Sequence, residues 1–285
     1  MKVVFLFIDG VGMRESATDN PVNSEVCPTL CRLIRLHAKP IDACLGIDGL
    51  PQSATGQATM FTGVNCSAAM QRHCEGFPGP ELRKIIGENN LFLQLEKRGK
   101  RVRFADAYLI DSADELAARR FKSVTTVMAL TTPDVISTVD DLCDNKALMQ
   151  DLTRETIQDR YPDIPVVDPA QAAEHLFSVA RENDFTLFEF FQTDVAGHSM
   201  DYDRACDVLR TYDRFLSELV RLVGAAGMTL VMTSDHGNVE SALDRGHTRN
   251  PVPFIACGPK EGFLRDRVSS LTDVTPALLA AFDSI

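Results

Sequence analysis

Three apolar runs in this chain each stop at or just before an acidic residue. Val3-Val4-Phe5-Leu6-Phe7-Ile8 ends at Asp9, Phe185 to Phe191 runs up to Asp194, and Met228 to Thr233 leads into Ser234, Asp235 and His236. Runs this short, rich in Val, Phe, Leu and Ile, read as strands buried on both faces. Open α/β sheets place their chemistry outside the carboxyl ends of the strands. Acidic residues spread over the whole sequence can therefore meet at one edge of one sheet.

The intervening segments carry helical periodicity. Pro28 to His37 places Leu30, Leu33, Ile34 and Leu36 at helical spacing. Leu82 to Gly99 predicts one helix closed by a glycine, with basic residues in its last turn. Pro169 to Asn183 predicts another, with Asp168 as N-cap and Pro169 in the first turn. Ala205 to Val223 and Thr275 to Phe282 complete the helices; Val102 to Tyr108 and Val252 to Cys257 are further strands. This alternation predicts an α/β fold: a mostly parallel sheet with helices on both faces, in a single domain over residues 1–285. Residues 112–165 depart from the pattern, being polar with short helical stretches, and predict a small cap or loop-rich insertion.

A formal net charge of −11 argues against a nonspecific grip on nucleic acid or an anionic membrane. It leaves room for a small phosphorylated substrate if bound cations make the site locally positive. The apolar stretch before Asp9 is too short to cross a membrane, and a buried first strand suits it better than a signal peptide. The cysteines, at 27, 31, 44, 66, 74, 143, 206 and 257, form no Cys-x-x-Cys pair, so neither a zinc ribbon nor a thioredoxin-type site is signalled. Cys27 and Cys31, four apart on a predicted helix, read as small buried apolar groups, and the set as a whole suggests a reducing, cytoplasmic setting.

The candidate chemistry lies in five segments. Ser53, in Gly49-Leu50-Pro51-Gln52-Ser53 and the stretch on to Gly63, stands where a helix begins. Such a serine is ordinarily an N-cap, but a helix amino end also offers free N–H groups to phosphoryl oxygens. Thr55 is the rival nucleophile in the same segment. Asp194 and His198 are four residues apart, and Asp235-His236 are adjacent and followed by Gly237. Asp and His together suit zinc or manganese, although one Asp-x-x-x-His pair can equally be a solvated helix contact. His247 lies in a turn-rich stretch. Gly10-Val11-Gly12 lacks the third glycine of a dinucleotide fingerprint.

Taken in order, these segments resemble the alkaline phosphatase superfamily, and most closely its branch of cofactor-independent phosphoglycerate mutases and phosphopentomutases. The resemblance covers roughly residues 1–110 and 165–285. It implies an alkaline phosphatase-like core and a pair of divalent ions, zinc or manganese and occasionally magnesium. One would be held by Asp9, Asp235, His236 and the Ser53 oxygen, the other by Asp194, His198 and His247. It implies Ser53 as the catalytic nucleophile, carrying a phosphoserine intermediate. Counting back ten residues from Gly63, as in the family, also lands on Ser53.

Two departures bear on the reaction. Only the 140 positions from 54 to 193 separate Ser53 from Asp194, where the mutases insert a long substrate-binding domain. Gln57 stands where they carry a histidine. Gln57, Arg72 and His73 are the candidate substrate contacts, while Arg83 and Lys84 suit a solvated helix face. The sulfatase branch's Pro-x-Arg is absent after Ser53. The expected activity is hydrolysis of small phosphate esters. The alternatives are a phosphomutase and a metal-binding scaffold without turnover.

Overall fold

The computed structural model describes residues 1–15 and 17–284. Six strands form one sheet: β1 (Val3–Ile8), β2 (Ala38–Ile41), β3 (Val102–Phe104), β4 (Phe185–Phe190), β5 (Thr229–Thr233) and β6 (Val252–Cys257). Their order across the sheet is β2-β6-β5-β1-β4-β3. β1 lies at the centre, parallel to β4 on one side and to β5 on the other, and every one of its residues is buried. β3 pairs parallel with β4, whereas β6 runs antiparallel to both β5 and β2. The fold is thus the mixed α/β architecture anticipated, mostly parallel with one reversed strand.

The pleat of β1 divides the core in two. Val3, Phe5 and Phe7 pack with the helices Ser53–Thr62, Pro80–Asn89, Leu91–Glu96, Val124–Leu130 and Val274–Asp283. Val4, Leu6 and Ile8 pack with Pro28–His37, Pro169–Glu182 and Tyr202–Ala225. Alternate side chains of a strand face opposite sides of its sheet, so a sheet covered on both faces needs an uninterrupted apolar strand like β1. The predicted cap of the Pro169 helix forms: the Asp168 carboxylate accepts the Ala170 N–H at 2.9 Å.

Three elements differ from expectation. The helix predicted over 82–99 is two, because Asn90 is extended and its side chain caps the second by accepting the Leu93 N–H. The strand predicted over 102–108 stops at Phe104, and the Asp106 carboxylate takes the Glu189 N–H of the neighbouring strand at 2.9 Å. β2 was not anticipated. It follows the first helix directly and contains Pro40, which an edge strand tolerates.

Residues 112–165 contribute Val124, Val127 and Met128 to the main core and carry a separate small cluster of Leu142, Met149, Ile157 and Ile164. They reach the carboxyl edge of β4 twice, where Thr125 bonds Glu189 and where Gln150 bonds Gln192. No helix among the described residues is long and apolar enough to cross a membrane.

Candidate metal centre

Register brings the scattered residues together. Ile8 pairs with Phe190 and Phe7 with Thr233, so β1, β4 and β5 end level. Asp9 follows β1 directly, Asp235 lies two residues past β5, and Asp194 and His198 sit on the short helix Gln192–His198 that follows β4. Because β6 is reversed, its amino end lies at this same edge and brings His247 with it. The helix Ser53–Thr62 enters from one face, with Gln52 as its N-cap and Ser53 as its first residue.

Ser53 Oγ is 3.0 Å from His236 Nε2, and that nitrogen is 3.5 Å from Asp9 Oδ1 and 3.4 Å from Asp235 Oδ2. Asp194 stands between two histidines, with His198 Nε2 3.4 Å and His247 Nε2 3.7 Å from its carboxylate oxygens. The two Nε2 atoms are 3.1 Å apart. His247 directs Nδ1 at the Pro51 carbonyl, 2.7 Å away, which fixes a proton there and leaves the Nε2 lone pair facing the site. The His236 and His247 rings stack with centroids 3.6 Å apart. Asp9, Asp194 and His236 form one group whose ligand atoms converge, and Asp194, His198 and His247 form a second.

The electrostatics of these residues fit cations. Asp9, Asp194 and Asp235 crowd together, and among the described residues none of them pairs with a lysine or arginine. Burial holds the Asp9 carboxyl well above the ordinary range, and the neighbouring Asp235 and Asp194 charges raise it further. Burial likewise raises Asp235. Burial, with the His247 ring beside it, pushes His236 down to about 3, so its imidazole is neutral and ready to donate a lone pair. Buried Asp9 Oδ1 and His236 Nδ1 have no hydrogen-bond partner. Unpaired buried carboxylates and facing imidazole lone pairs are costly by themselves and complementary to a divalent ion.

Comparison with known proteins agrees with this chemistry. A family model described as the Metalloenzyme superfamily matches residues 1–284. The chain belongs to the Metalloenzyme superfamily. Among its relatives is a 2,3-bisphosphoglycerate-independent phosphoglycerate mutase of Natronomonas pharaonis, 31% identical over 135 residues. That match covers 42% of this chain and 27% of the relative. The mutase of Halobacterium salinarum is 32% identical over 134 residues, covering 41% of this chain and 26% of the relative. The similarity therefore spans about a quarter of the length of these mutases. Among solved structures, the cold-active alkaline phosphatase of Shewanella sp. aligns with a TM-score of 0.59 at 12% identity, covering 97% of this chain and 99% of that one. The alkaline phosphatase of the Antarctic bacterium TAB5 gives 0.59 at 10% identity, covering 99% and 97%. At such identities the likeness is one of fold, and the fold is alkaline phosphatase-like.

Several parts of the site were not anticipated from the sequence. Buried Glu240 accepts N–H groups from Gly12 at 2.8 Å and Asn238 at 2.9 Å, and side-chain donors from Thr248 and Asn250 at 2.5 and 2.9 Å. It thereby ties three of the site's loops together. A Cβ on Gly12 would lie 2.2 Å from Glu240 Oε1, so the Gly10-Val11-Gly12 segment reflects close packing rather than a nucleotide turn. Asn238 Nδ2 donates to Asp194 Oδ1 at 2.6 Å and holds that carboxylate in place. Buried Glu189, one strand over from Phe7, accepts the Thr125 hydroxyl at 2.6 Å, and burial raises its carboxyl to about 7.

The three candidate substrate contacts separate. Gln57 is buried, and its amide donates to Asp9 Oδ2 at 3.2 Å and Asp235 Oδ2 at 3.1 Å. It therefore braces two carboxylates from beneath and does not face the open side of the site. Arg72 and His73 line a cleft of about 430 Å³ together with Gln52. His73 is half-buried and held between Ser67 Oγ and the Ile47 carbonyl, each 3.2 Å away. Thr55 is fully buried and its hydroxyl accepts the Cys74 N–H at 3.1 Å, a structural role that separates it from Ser53.

Proposed function

We propose that this chain is a two-metal phosphoryl-transfer enzyme that hydrolyses small phosphate esters through a phosphoserine at Ser53. The observation that carries this reading is Ser53 Oγ, 3.0 Å from His236 Nε2 at the amino end of a helix and beside an uncompensated carboxylate cluster. Asp9, Asp235 and His236, with the Ser53 oxygen, would hold one divalent ion. Asp194, His198 and His247 would hold the other, with Asp194 close enough to Asp9 and His236 to border both. Mixed imidazole and carboxylate ligands suit zinc or manganese, and magnesium less well. When bound, such ions lower the pKa of a ligated hydroxyl and neutralise phosphoryl oxygens.

The chain's own groups supply the rest. The Thr55 and Gly56 N–H groups are taken by Cys74 O and Gln52 O, which leaves those of Ser53 and Ala54 for the phosphoryl oxygens. Gln57 keeps the Asp9 and Asp235 carboxylates aligned below the nucleophile. Ser53 Oγ bonds to phosphorus as the ester oxygen departs, and transfer of the phosphoryl group to water regenerates the hydroxyl. Residues 112–165 border the carboxyl edge, and we assign them to covering the substrate. Eight free cysteines support a reducing, cytoplasmic setting.

Ser53→Ala is expected to lower hydrolysis of a phosphomonoester panel by more than about a thousandfold, with no covalent phosphate in the protein and an unchanged melting temperature. Undiminished hydrolysis in that variant would rule out the covalent route. A phosphomutase is the second reading, favoured by the mutase relatives. Isomerisation of phosphoglycerates or pentose phosphates without phosphate release would establish it over hydrolysis.

A further inference from the structure

We infer that Phe77 and Phe121 form a stacking platform for the leaving group of the substrate, which selects phosphoesters of alcohols that carry a planar ring. This rests on the phosphoryl-transfer reading and names the substrate class of the same site. Phe77 is 54% exposed and Phe121 61%, yet their rings meet with centroids 5.4 Å apart at an interplanar angle of 35°. One belongs to the loop before the helix Pro80–Asn89, the other to the connection between the helices Ala113–Ala118 and Val124–Leu130. Chance exposure scatters single apolar residues; two aromatic rings brought together from separate segments and left open to solvent form a patch with a use.

The pair is held in place deliberately. Arg83 donates to the Pro78 carbonyl at 2.7 Å and to the Arg120 carbonyl at 3.4 Å, one residue from each phenylalanine, so a single guanidinium brackets both loops. The Arg120 guanidinium lies over the Phe121 ring, 5.2 Å from its centroid. The Phe77 loop is in turn fixed to the catalytic helix, since Cys74 exchanges hydrogen bonds with buried Thr55, two residues after Ser53.

The cleft beside the start of the Ser53 helix decides the occupant. Phe77 lines the cleft of about 430 Å³ whose wall includes Gln52, the N-cap of the Ser53 helix. That volume suits the organic part of a small ester and lies within the usual range for ligand sites. Leu82 and Met70 add apolar lining, while exposed Arg72 makes no ion pair among the described residues and remains available to a polar substituent. An alcohol whose phosphate sits at Ser53 would extend along this cleft toward the rings. Aryl groups and nucleobases share the required planar face, and separate substrates distinguish them.

The test compares kcat/KM of the metal-loaded protein for 2-phenylethyl phosphate and for butyl phosphate, whose alcohols are leaving groups of similar basicity, with a nucleoside 5′-monophosphate as a third substrate. The ring-bearing ester is expected to be preferred, and Phe77→Ala and Phe121→Ala to reduce its kcat/KM by about 3- to 10-fold each, mainly through KM, with a smaller loss for butyl phosphate so that the preference collapses. Phe77→Tyr should retain the preference. A preference extending to the nucleotide assigns the platform to bases as well as aryl groups. Equal turnover of both simple esters, unchanged in the alanine variants, would overturn the inference while leaving the phosphatase reading intact. Turnover of no ester at all would remove both. Loss of self-association in the alanine variants, with unchanged ester selectivity, would assign the rings to a second copy of the chain and equally overturn the proposal.

Discussion

At the scale of single residues, the site is a set of charges that the polypeptide does not neutralise. Glu189 shows what this costs. Its carboxyl ordinarily titrates near 4.5, and burial raises it to about 7 despite the hydrogen bond from Thr125. A carboxyl raised on folding contributes its full stabilisation below the unfolded pKa and loses it as pH rises through the folded one. In metal-free protein, the loss attributable to Glu189 between about pH 4.5 and 8 should be on the order of 3 kcal/mol. Urea unfolding of wild type and Glu189→Gln at both pH values checks this: the stability of wild type relative to the variant should fall as pH rises. Parallel pH dependence in the two proteins would contradict it. Asp9, Asp194, Asp235 and His236 were legible as candidates because strand ends and Asp-His adjacency leave a mark in the sequence, whereas His198 and His247 stood out only through the order of the motifs taken together. Glu240 and Glu189 left none, since the four donors to Glu240 and the burial of Glu189 beside Thr125 exist only in the fold, and in one dimension each looks like any surface acid.

At the scale of elements, strands were easier to read than their partners or their ends. β1, β4, β5 and β6 are compact apolar runs, and the structure keeps them almost residue for residue. Strand direction has no signature in such a run, so the reversal of β6, which delivers His247 to the carboxyl edge, could not be read beforehand. The break at Asn90 was missed for a similar reason: apolar periodicity continues across it, and only the fold supplies the partners. Asn90 is fully buried, caps the following helix through the Leu93 N–H, and donates to the Ile86 carbonyl and the Thr131 hydroxyl, each at 2.9 Å. Asn90→Ala removes a cap and leaves buried groups unpaired, and should destabilise the protein by about 1–3 kcal/mol. The shift in urea midpoint at constant slope measures it; a change below about 0.5 kcal/mol would mean the two helices need no such junction.

At the scale of the whole molecule, two helical layers cover a sheet whose ends carry the chemistry, and the pieces of the site come from strand ends, a helix start and one reversed strand. Each of the two converging groups contains Asp194, which makes this residue the hinge between the two halves of the centre. Because the folded chain presents the ligands together and the unfolded chain does not, bound metal must stabilise the fold by mass action. Removing metal with a chelator should lower the melting temperature, and returning zinc or manganese should restore it, with only partial restoration in a variant lacking His198 and His247, which keeps one of the two ligand sets. Metal content per chain bears most directly on the proposed two-ion centre. Elemental analysis of purified wild-type protein should find two equivalents of divalent metal, falling to one in the double variant His198→Ala, His247→Ala. One equivalent or none in wild type after incubation with excess zinc and manganese would contradict the two-metal account.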